Sequence, residues 1–194
     1  MPLMDDPLTL FRTWLDEARA SGTPEPDAMA VATAAPDGAP SVRMVLLKGH
    51  DERGIVFFTN YASRKGHELE SNPHAALLFH WPALGRQVRI EGPVTRVDRS
   101  ESEAYALSRP RASQLSALAS PQSRPVPDRE WLERRVEELA REHPDGDLPV
   151  GEQWGGFRVE PATWEFWENR DNRLHDRHRY TRAGDGWTVE RLAP

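Results

Sequence analysis

The sequence predicts a mainly β fold with attached helices, an α+β arrangement in which antiparallel strands form a small barrel. The first observation is a series of short apolar segments, rich in β-branched and aromatic residues and bounded by turn residues. The second is that the turns between neighbouring segments are too short for crossover helices, which favours antiparallel pairing. The third is a helical insert that divides the segments into two sets.

An N-terminal helix is predicted over residues of about 7–20. Asp6 suits the N-cap because its carboxylate can accept hydrogen bonds from free backbone N–H groups. Pro7 suits the first turn, and Gly22 ends the helix. The positions that form one apolar stripe are Phe11, Trp14, Leu15 and Ala18.

Strands are predicted at residues 28–35, 41–48, 55–60, 74–81, 86–97, 155–161, 163–168, 173–182 and 187–194. A short helix capped by Ser63 follows the third of them. The helical insert occupies residues of about 100–142, and its clearest helical periodicity lies in "DREWLERRVEELAR". Because no repeat or low-complexity segment interrupts the chain, we expect one domain over residues 1–194.

Composition excludes several classes of protein. The formal charge of −6 argues against a general nucleic-acid-binding protein, which needs a basic surface. The absence of cysteine excludes disulfides, thiolate metal sites and cysteine nucleophiles. The first residues, "MPLMDDPLTL", lack the features of a signal peptide, and no apolar run approaches the roughly 20 residues that span a bilayer. We therefore expect a soluble cytoplasmic protein with no membrane partner.

The segment "FFTNYASRKGHEL" is the first candidate site. A strand ends at Thr59, and a helix opens at Ser63 with Arg64 and Lys65 in its first turn. The helix dipole disfavours cations at that end. An anion such as phosphate would explain both cations, since it could also accept hydrogen bonds from the free N–H groups. The alternative is a pair of exposed basic residues on a short helix.

The segment "RLHDRHR" is the second candidate site. On a regular strand, alternate residues share one face, and here that face would carry four nitrogen-rich side chains, those of Arg173, His175, Arg177 and Arg179. Such a face could hold an anionic ligand. The alternative is a solvated edge strand, because charged faces are usually just exposed to water.

Two further segments contain polar residues that could point into a site. Tyr105, Arg109 and Ser113 are spaced by four and would share one helical face, except that Pro110 breaks or restarts the helix. The alternative there is an ordinary loop between helices. Lys48 ends the apolar strand "VRMVLLK", where it could line a site or simply extend its amine to water.

Other chemistries lack their motifs. There is no HExxH, and His175 and His178 would face opposite sides of a strand, so no metal site is predicted. No nucleophile elbow, phosphate-binding P-loop or dinucleotide fingerprint occurs either. Anion sites without a protein nucleophile indicate that a cofactor performs the chemistry.

Eight motifs occur in the order seen in the pyridoxine/pyridoxamine 5′-phosphate oxidase family, which nearly the whole chain resembles: "RMVLLK", "FFTNYASRK", "RQVRIEG", "SRPRASQ", "SPQS", "WGGFRV", "EFW" and "RLHDR". The resemblance implies a split β-barrel and a homodimer with FMN at the subunit interface. It implies oxidation of pyridoxine or pyridoxamine 5′-phosphate to pyridoxal 5′-phosphate, with O₂ reduced to hydrogen peroxide.

The resemblance also implies roles for individual residues, some of them acting from the partner chain. FMN would be bound by Arg43, Met44, Val45, Leu46, Lys48, Phe58, Thr59, Arg64, Lys65, Gln87, Gln122, Ser123, Trp167 and Arg177. The phosphorylated substrate would be bound by Lys48, Tyr105, Arg109, Ser113, Arg173 and His175. Arg173 and His175 would orient its reacting end and are the candidate catalytic residues.

The chain departs from the family pattern at two places. Family members usually have a longer basic arm before the first helix, so we expect that lid to be missing or replaced. They also commonly have "WQG" where Trp167 is followed here by Glu168, Asn169 and Arg170, which predicts a bulky charged loop beside the site. Two alternatives therefore stay open: a flavin oxidase of the phenazine-biosynthesis type, and a non-catalytic protein that binds flavin or pyridoxal phosphate.

Overall fold

Ten strands form one antiparallel sheet in the computed structural model, which describes residues 4–194. The single domain expected over residues 1–194 thus includes three residues outside the described part. The strands are β1 (Ala28–Ala34), β2 (Pro40–Leu46), β3 (Gly49–Asp51), β4 (Gly54–Asn60), β5 (His74–Trp81), β6 (Arg86–Arg96), β7 (Trp154–Val159), β8 (Thr163–Glu168), β9 (Asp176–Ala183) and β10 (Gly186–Arg191). The expected mainly β architecture with antiparallel pairing is confirmed.

Five α-helices accompany the sheet within residues 4–194. They are α1 (Pro7–Ala20), α2 (Arg64–Ser71), α3 (Arg99–Ser108), α4 (Arg111–Ala119) and α5 (Arg129–Glu142). The helical insert expected at about 100–142 is therefore three helices, with a non-helical connection before α5. None of these five helices is long and apolar enough to cross a membrane.

The curl of the sheet depends on β6, which changes partners along its length. Residues 86–91 of β6 pair with β8, whereas residues 94–96 pair with β7, which in turn pairs with β4. The change occurs at Gly92 and Pro93. A Cβ at Gly92 would collide with the carbonyl oxygen of Glu160, so only glycine lets the chain after β7 approach this closely. The strand order β10-β9-β8-β6-β5-β1-β2 thus acquires a second branch, β6-β7-β4-β3.

Helix α1 packs its apolar face against this curled sheet. Asp6 accepts hydrogen bonds from the backbone N–H groups of Leu8 and Thr9, and Pro7 occupies the first turn, as expected. The predicted stripe is buried throughout. The ring of Phe11 lies 5.0 Å from that of Phe79 and 5.4 Å from that of Trp164, measured between centroids. The helix therefore joins β5 and β8 through one aromatic cluster.

Four strand predictions miss an end by two residues or more. The strands expected at residues 155–161 and 187–194 end at Val159 and Arg191. The strand expected at residues 41–48 ends at Leu46, and the segment after it contains the short strand β3. The strand expected at residues 173–182 begins only at Asp176. The backbone before it makes a 3₁₀ turn in which Asn172 and Arg173 have positive φ angles of 55° and 62°. Arg173 and His175 both precede the strand, so the predicted shared face keeps only Arg177 and Arg179.

Replacing Phe11 by alanine should destabilise the protein by about 3–5 kcal/mol, because the ring is fully buried and its loss leaves a cavity. Chemical denaturation measures this change. Thr13→Ala, at an exposed position of the same helix, is the matched control and should stay within about 0.5 kcal/mol of wild type. Equal losses for both variants would contradict the assigned packing of α1.

Candidate active site

A groove of 860 Å³ lies between β2, β4 and the helices α3 and α4. Eleven of the residues assigned to ligands from the sequence line it: Met44, Val45, Leu46, Lys48, Phe58, Thr59, Lys65, Tyr105, Arg109, Ser113 and Gln122. The chain has only two lysines, and both are among them. The structure therefore brings together one large part of the predicted site from segments far apart in sequence.

The break between α3 and α4 turns three polar side chains toward this groove. Arg109 ends α3 in an extended conformation (φ −77°, ψ 152°), and α4 begins directly after Pro110. The side-chain amide of Gln114 donates to the carbonyl oxygen of Arg109 at 2.7 Å, which satisfies a group that the break would leave free. Tyr105, Arg109 and Ser113 consequently all line the groove, as a site interpretation of this segment predicts.

Three aromatic rings form one wall of the groove. Phe58 stacks on Tyr105 with centroids 4.1 Å apart and on Trp154 with centroids 5.5 Å apart. The Arg109 guanidinium lies 5.3 Å from the centroid of Trp154, and the Lys48 amine lies 5.9 Å from that of Tyr105. Two cations are thus held beside an aromatic surface, an arrangement suited to a flat, anionic ligand.

Lys65 is a buried cation without a carboxylate partner among the described residues. Its amine donates to Thr59 Oγ1 at 3.0 Å, to Gln122 Oε1 at 2.8 Å and to Ser63 Oγ at 3.3 Å, all of which are neutral acceptors. Burial lowers the pKa of Lys65 to about 8, and repulsion from Arg43 acts in the same direction, while Glu68 opposes it. An anionic ligand bound in the groove would neutralise this buried cation, so Lys65 is suited to binding one.

A buried carboxylate, Glu68 on α2, lies next to this cation. Its Oε2 accepts hydrogen bonds from the hydroxyls of Thr33 and Ser41 and from the Arg43 guanidinium. Its Oε1 accepts from Nε of Arg64 at 2.8 Å. Burial opposes ionisation of Glu68, but these hydrogen bonds prevail and lower its pKa to about 2. Arg43 and Arg64, which both pair with Glu68, are not among the residues that line the groove.

A second set of predicted residues forms a row across three neighbouring strands. Gln87 on β6 pairs with Trp167 on β8, which pairs with Arg177 on β9. The His175 ring lies 4.6 Å from that of Trp167, between centroids, so it joins the same row. Arg177 and Arg179 lie on β9, but each is paired with a carboxylate, Glu165 and Glu190 respectively.

The loop after Trp167 holds its own charges in pairs. Arg170 forms ion pairs with Glu168 at 2.6 Å and with Asp176 at 2.7 Å. Its backbone N–H donates to Nδ1 of His175 at 3.1 Å. The loop expected to be bulky and charged is therefore a self-paired turn that fixes the imidazole, and Arg173 projects from it with an exposed side chain.

None of the residues in this row is among those that line the groove. Most of the groove residues lie on β2, β4 and the helices α3 and α4, whereas the row lies on β6, β8 and β9. Ser123, in the connection before α5, is exposed and is not among the residues that line the groove, although the adjacent Gln122 is. Reasoning from the sequence missed Trp154 and Glu68. The only local signal for Glu68 was its spacing four residues after Arg64.

Two family models match most of the chain. Residues 15–142 match a family model described as pyridoxamine 5′-phosphate oxidase. Residues 154–194 match one described as the pyridoxine 5′-phosphate oxidase C-terminal dimerisation region. The chain belongs to the pyridoxamine 5′-phosphate oxidase family. The resemblance inferred from the eight motifs is confirmed.

Relatives named pyridoxine/pyridoxamine 5′-phosphate oxidase match nearly the whole chain. One from Gluconobacter oxydans is 55% identical, over 100% of this chain and 98% of its own length. One from Rubrobacter xylanophilus is 54% identical, over 97% of this chain and 87% of its own length. A crystal structure of PhzG from Burkholderia lata, in complex with tetrahydrophenazine-1-carboxylic acid, superposes with a TM-score of 0.93 at 36% identity, covering 98% of this chain and 94% of PhzG. The split β-barrel fold class is confirmed.

The stability of the ligand-free protein should rise with pH from about 8, because Lys65 loses its proton more easily in the folded chain than in the unfolded one. Between pH 8 and the ordinary lysine pKa of 10.5 the unfolded state binds more protons. The unfolding free energy should therefore rise by up to about 1.4 kcal/mol per pH unit.

Denaturation of wild type and Lys65→Met at pH 7 to 9.5 measures how the unfolding free energy of each depends on pH. Lys48→Met is the control and should retain the rise; a rise that persists in Lys65→Met would contradict the assignment.

Proposed function

We propose that this protein oxidises pyridoxine 5′-phosphate or pyridoxamine 5′-phosphate to pyridoxal 5′-phosphate, with FMN as cofactor and O₂ as electron acceptor. The observation that supports this most directly is that one groove, beside an aromatic wall, contains two separate groups of cationic and hydroxyl side chains. One group is Lys65 with Thr59, and the other is Arg109 with Tyr105 and Ser113. Two phosphorylated molecules, cofactor and substrate, need two such groups. The relatives that match the full chain at 54–55% identity have this activity in their names.

The alternative of a phenazine-type oxidase is less well supported. PhzG superposes closely, but its identity of 36% is well below that of the relatives named for vitamin B6 phosphates. The motifs "SRPRAS" and "RLHDR" are both present, and the first of them lines the groove. A non-catalytic role has no observation in its favour.

The residues of the groove fit FMN. Lys65, with Thr59 and Gln122, offers a buried cation and hydrogen-bonding groups to a phosphate. Arg64 and Arg43 are linked to each other through Glu68. The segment from Met44 to Lys48 forms the edge along which a flat ring system could lie. Bound there, FMN would supply the hydride acceptor and return the electrons to O₂.

The substrate phosphate fits the break between α3 and α4. Arg109 supplies a guanidinium, and Tyr105 and Ser113 supply hydroxyls, a set that suits a phosphate monoester. Lys48 lies on the same side as Tyr105 and adds a second cation. Fixing the phosphate holds the reacting carbon in one orientation, which is the main contribution that this chain makes to the reaction.

The second set of residues would act on a neighbouring copy of the chain. We propose a homodimer in which Gln87, Trp167 and Arg177 of one copy complete the FMN site of the other. Residues 154–194, which include most of this set, match a dimerisation region. The edge strand β2 also exposes apolar side chains, with Val42 68% and Met44 64% accessible, at the place where a second copy would cover the groove.

In this arrangement Arg173 and His175 would face the reacting end of the substrate. Because Nδ1 of His175 accepts a hydrogen bond from the Arg170 backbone, the neutral imidazole has its proton on Nε2. His175 would therefore present an Nε2–H that can hydrogen-bond the substrate hydroxyl oxygen or amine nitrogen and orient the reacting end. For the alcohol, the hydride from carbon and the proton from the hydroxyl would both end on O₂, giving hydrogen peroxide. For the amine, water also enters and ammonia leaves.

Cytoplasmic location remains a prediction from the sequence.

Anaerobic addition of pyridoxine 5′-phosphate to the FMN-loaded protein should remove the yellow flavin absorbance, and air should restore it with formation of pyridoxal 5′-phosphate. Arg109→Ala should raise the KM for this substrate roughly 10- to 100-fold, since hydrogen bonds to charged groups contribute about 1.5–3 kcal/mol. Arg129→Ala, on the exposed face of α5, is the matched control. Flavin that binds but stays yellow with both the alcohol and the amine would refute the proposed activity.

Val42→Asp should shift the protein from a dimer toward its chain mass of 22.0 kDa, because a charge would replace an apolar contact at the β2 edge. Light scattering at micromolar concentration measures the mass, and FMN affinity should fall with it. Arg134→Asp introduces an aspartate, with a larger change in net charge, on the exposed side of α5 and should leave the mass unchanged. A stable wild-type monomer with full activity would contradict the shared site.

A further inference from the structure

Glu68 links two elements of the proposed cofactor site that are distant in sequence. Its carboxylate receives hydrogen bonds from the β1–β2 hairpin, through Thr33, Ser41 and Arg43, and from Arg64 on its own helix. The residue is only 6% exposed, and it is the only carboxylate within residues 4–194 that pairs with either arginine. Arg43 is also held by the Val31 carbonyl and by the Thr33 and Ser41 hydroxyls. Arg64 has no second hydrogen-bond partner within residues 4–194, so its geometry depends on Glu68.

The Glu68 carboxylate contacts one nitrogen of Arg64 and leaves the rest of its guanidinium available. Only Nε of Arg64 is used, at 2.8 Å from Glu68 Oε1, and within residues 4–194 its two terminal nitrogens have no hydrogen-bond partner. The Arg64 side chain is 61% exposed. An arginine held through Nε presents its terminal N–H groups in one fixed direction, which is the geometry used for bidentate recognition of phosphate.

The charges of this cluster also match a particular ligand. Arg43, Arg64 and Lys65 contribute three positive charges and Glu68 one negative charge, because its pKa of about 2 keeps it ionised. The sum of +2 balances a phosphate monoester, which has nearly two negative charges at neutral pH. A flavin without a phosphate, such as riboflavin, would leave this charge uncompensated.

We propose that Glu68 is a positioning residue for the cofactor: it holds Arg64, braced by Arg43, so that the terminal N–H groups of Arg64 face the FMN phosphate and favour FMN over riboflavin. This inference rests on the proposed function, since it assumes that FMN occupies the groove. Glu68 itself does not touch the cofactor.

The variant Glu68→Gln separates positioning from simple electrostatics. Removing a negative charge close to a phosphate site should tighten the binding of an anion if charge alone mattered. If Glu68 acts by holding Arg64, its loss should weaken FMN binding instead. The sign of the change in affinity therefore decides between the two effects.

The experiment is titration of the flavin-free full-length chain with FMN and with riboflavin, followed by quenching of flavin fluorescence. Glu68→Gln should weaken FMN binding roughly tenfold or more and leave riboflavin binding unchanged. In the Arg64→Ala background the same substitution should have much less effect, because the positioned group is already absent. Unchanged or tighter FMN binding by Glu68→Gln would overturn the proposal, as would equal effects in both backgrounds.

Ser41→Ala provides a second variant in case Glu68→Gln folds poorly. It removes one hydrogen bond to Glu68 without changing charge, and it should weaken FMN binding in the same direction but by less. No loss in Ser41→Ala, with thermal unfolding like that of wild type, would also overturn the proposal. A wild-type chain that binds neither flavin would instead refute the assignment of FMN, and with it this inference.

Discussion

The exchange of partners along β6 is the constraint on which the arrangement of the site depends. One half of this strand continues the sheet toward β8 and β9, and the other half turns it toward β7 and β4. The first direction positions the row formed by Gln87, Trp167 and Arg177. The second positions Phe58 and Thr59 at the groove. Because both branches start from the same strand, the two parts of the site have fixed positions relative to one another in each chain.

The groove is built around charge that the chain does not fully neutralise. Lys65 has only neutral hydrogen-bond partners, and the buried Glu68 offsets one of its neighbouring arginines. Such an arrangement costs stability in the free protein and recovers it when an anion binds. Cofactor affinity and the stability of the fold are therefore coupled at this site, and the coupling runs through the hairpin that also forms the exposed β2 edge.

Much of the fold and part of the site could be predicted from local sequence. The Asp6–Pro7 start of α1, the Ser63 cap of α2 and the break at Pro110 are local signals, and each lies where it was expected. The family motifs named most of the groove residues. Neither Glu68 nor Trp154 could be inferred, because most of their partners come from distant segments, as with Arg43 and Ser41, which lie 25 and 27 residues before Glu68. The left-handed pair Asn172–Arg173 was also missed, because arginine rarely adopts a positive φ.

The scarcity of lysine has a chemical consequence. Lys48 and Lys65 are the only side-chain amines in the chain, and both border the groove. Aldehydes condense with neutral amines, and the lowered pKa of Lys65 makes part of its population neutral near pH 8. An enzyme that releases an aldehyde thus exposes almost no side-chain amine outside its own site. A bound cofactor phosphate would keep the Lys65 amine protonated and covered, so that the loaded protein would resist modification of this amine by its own product.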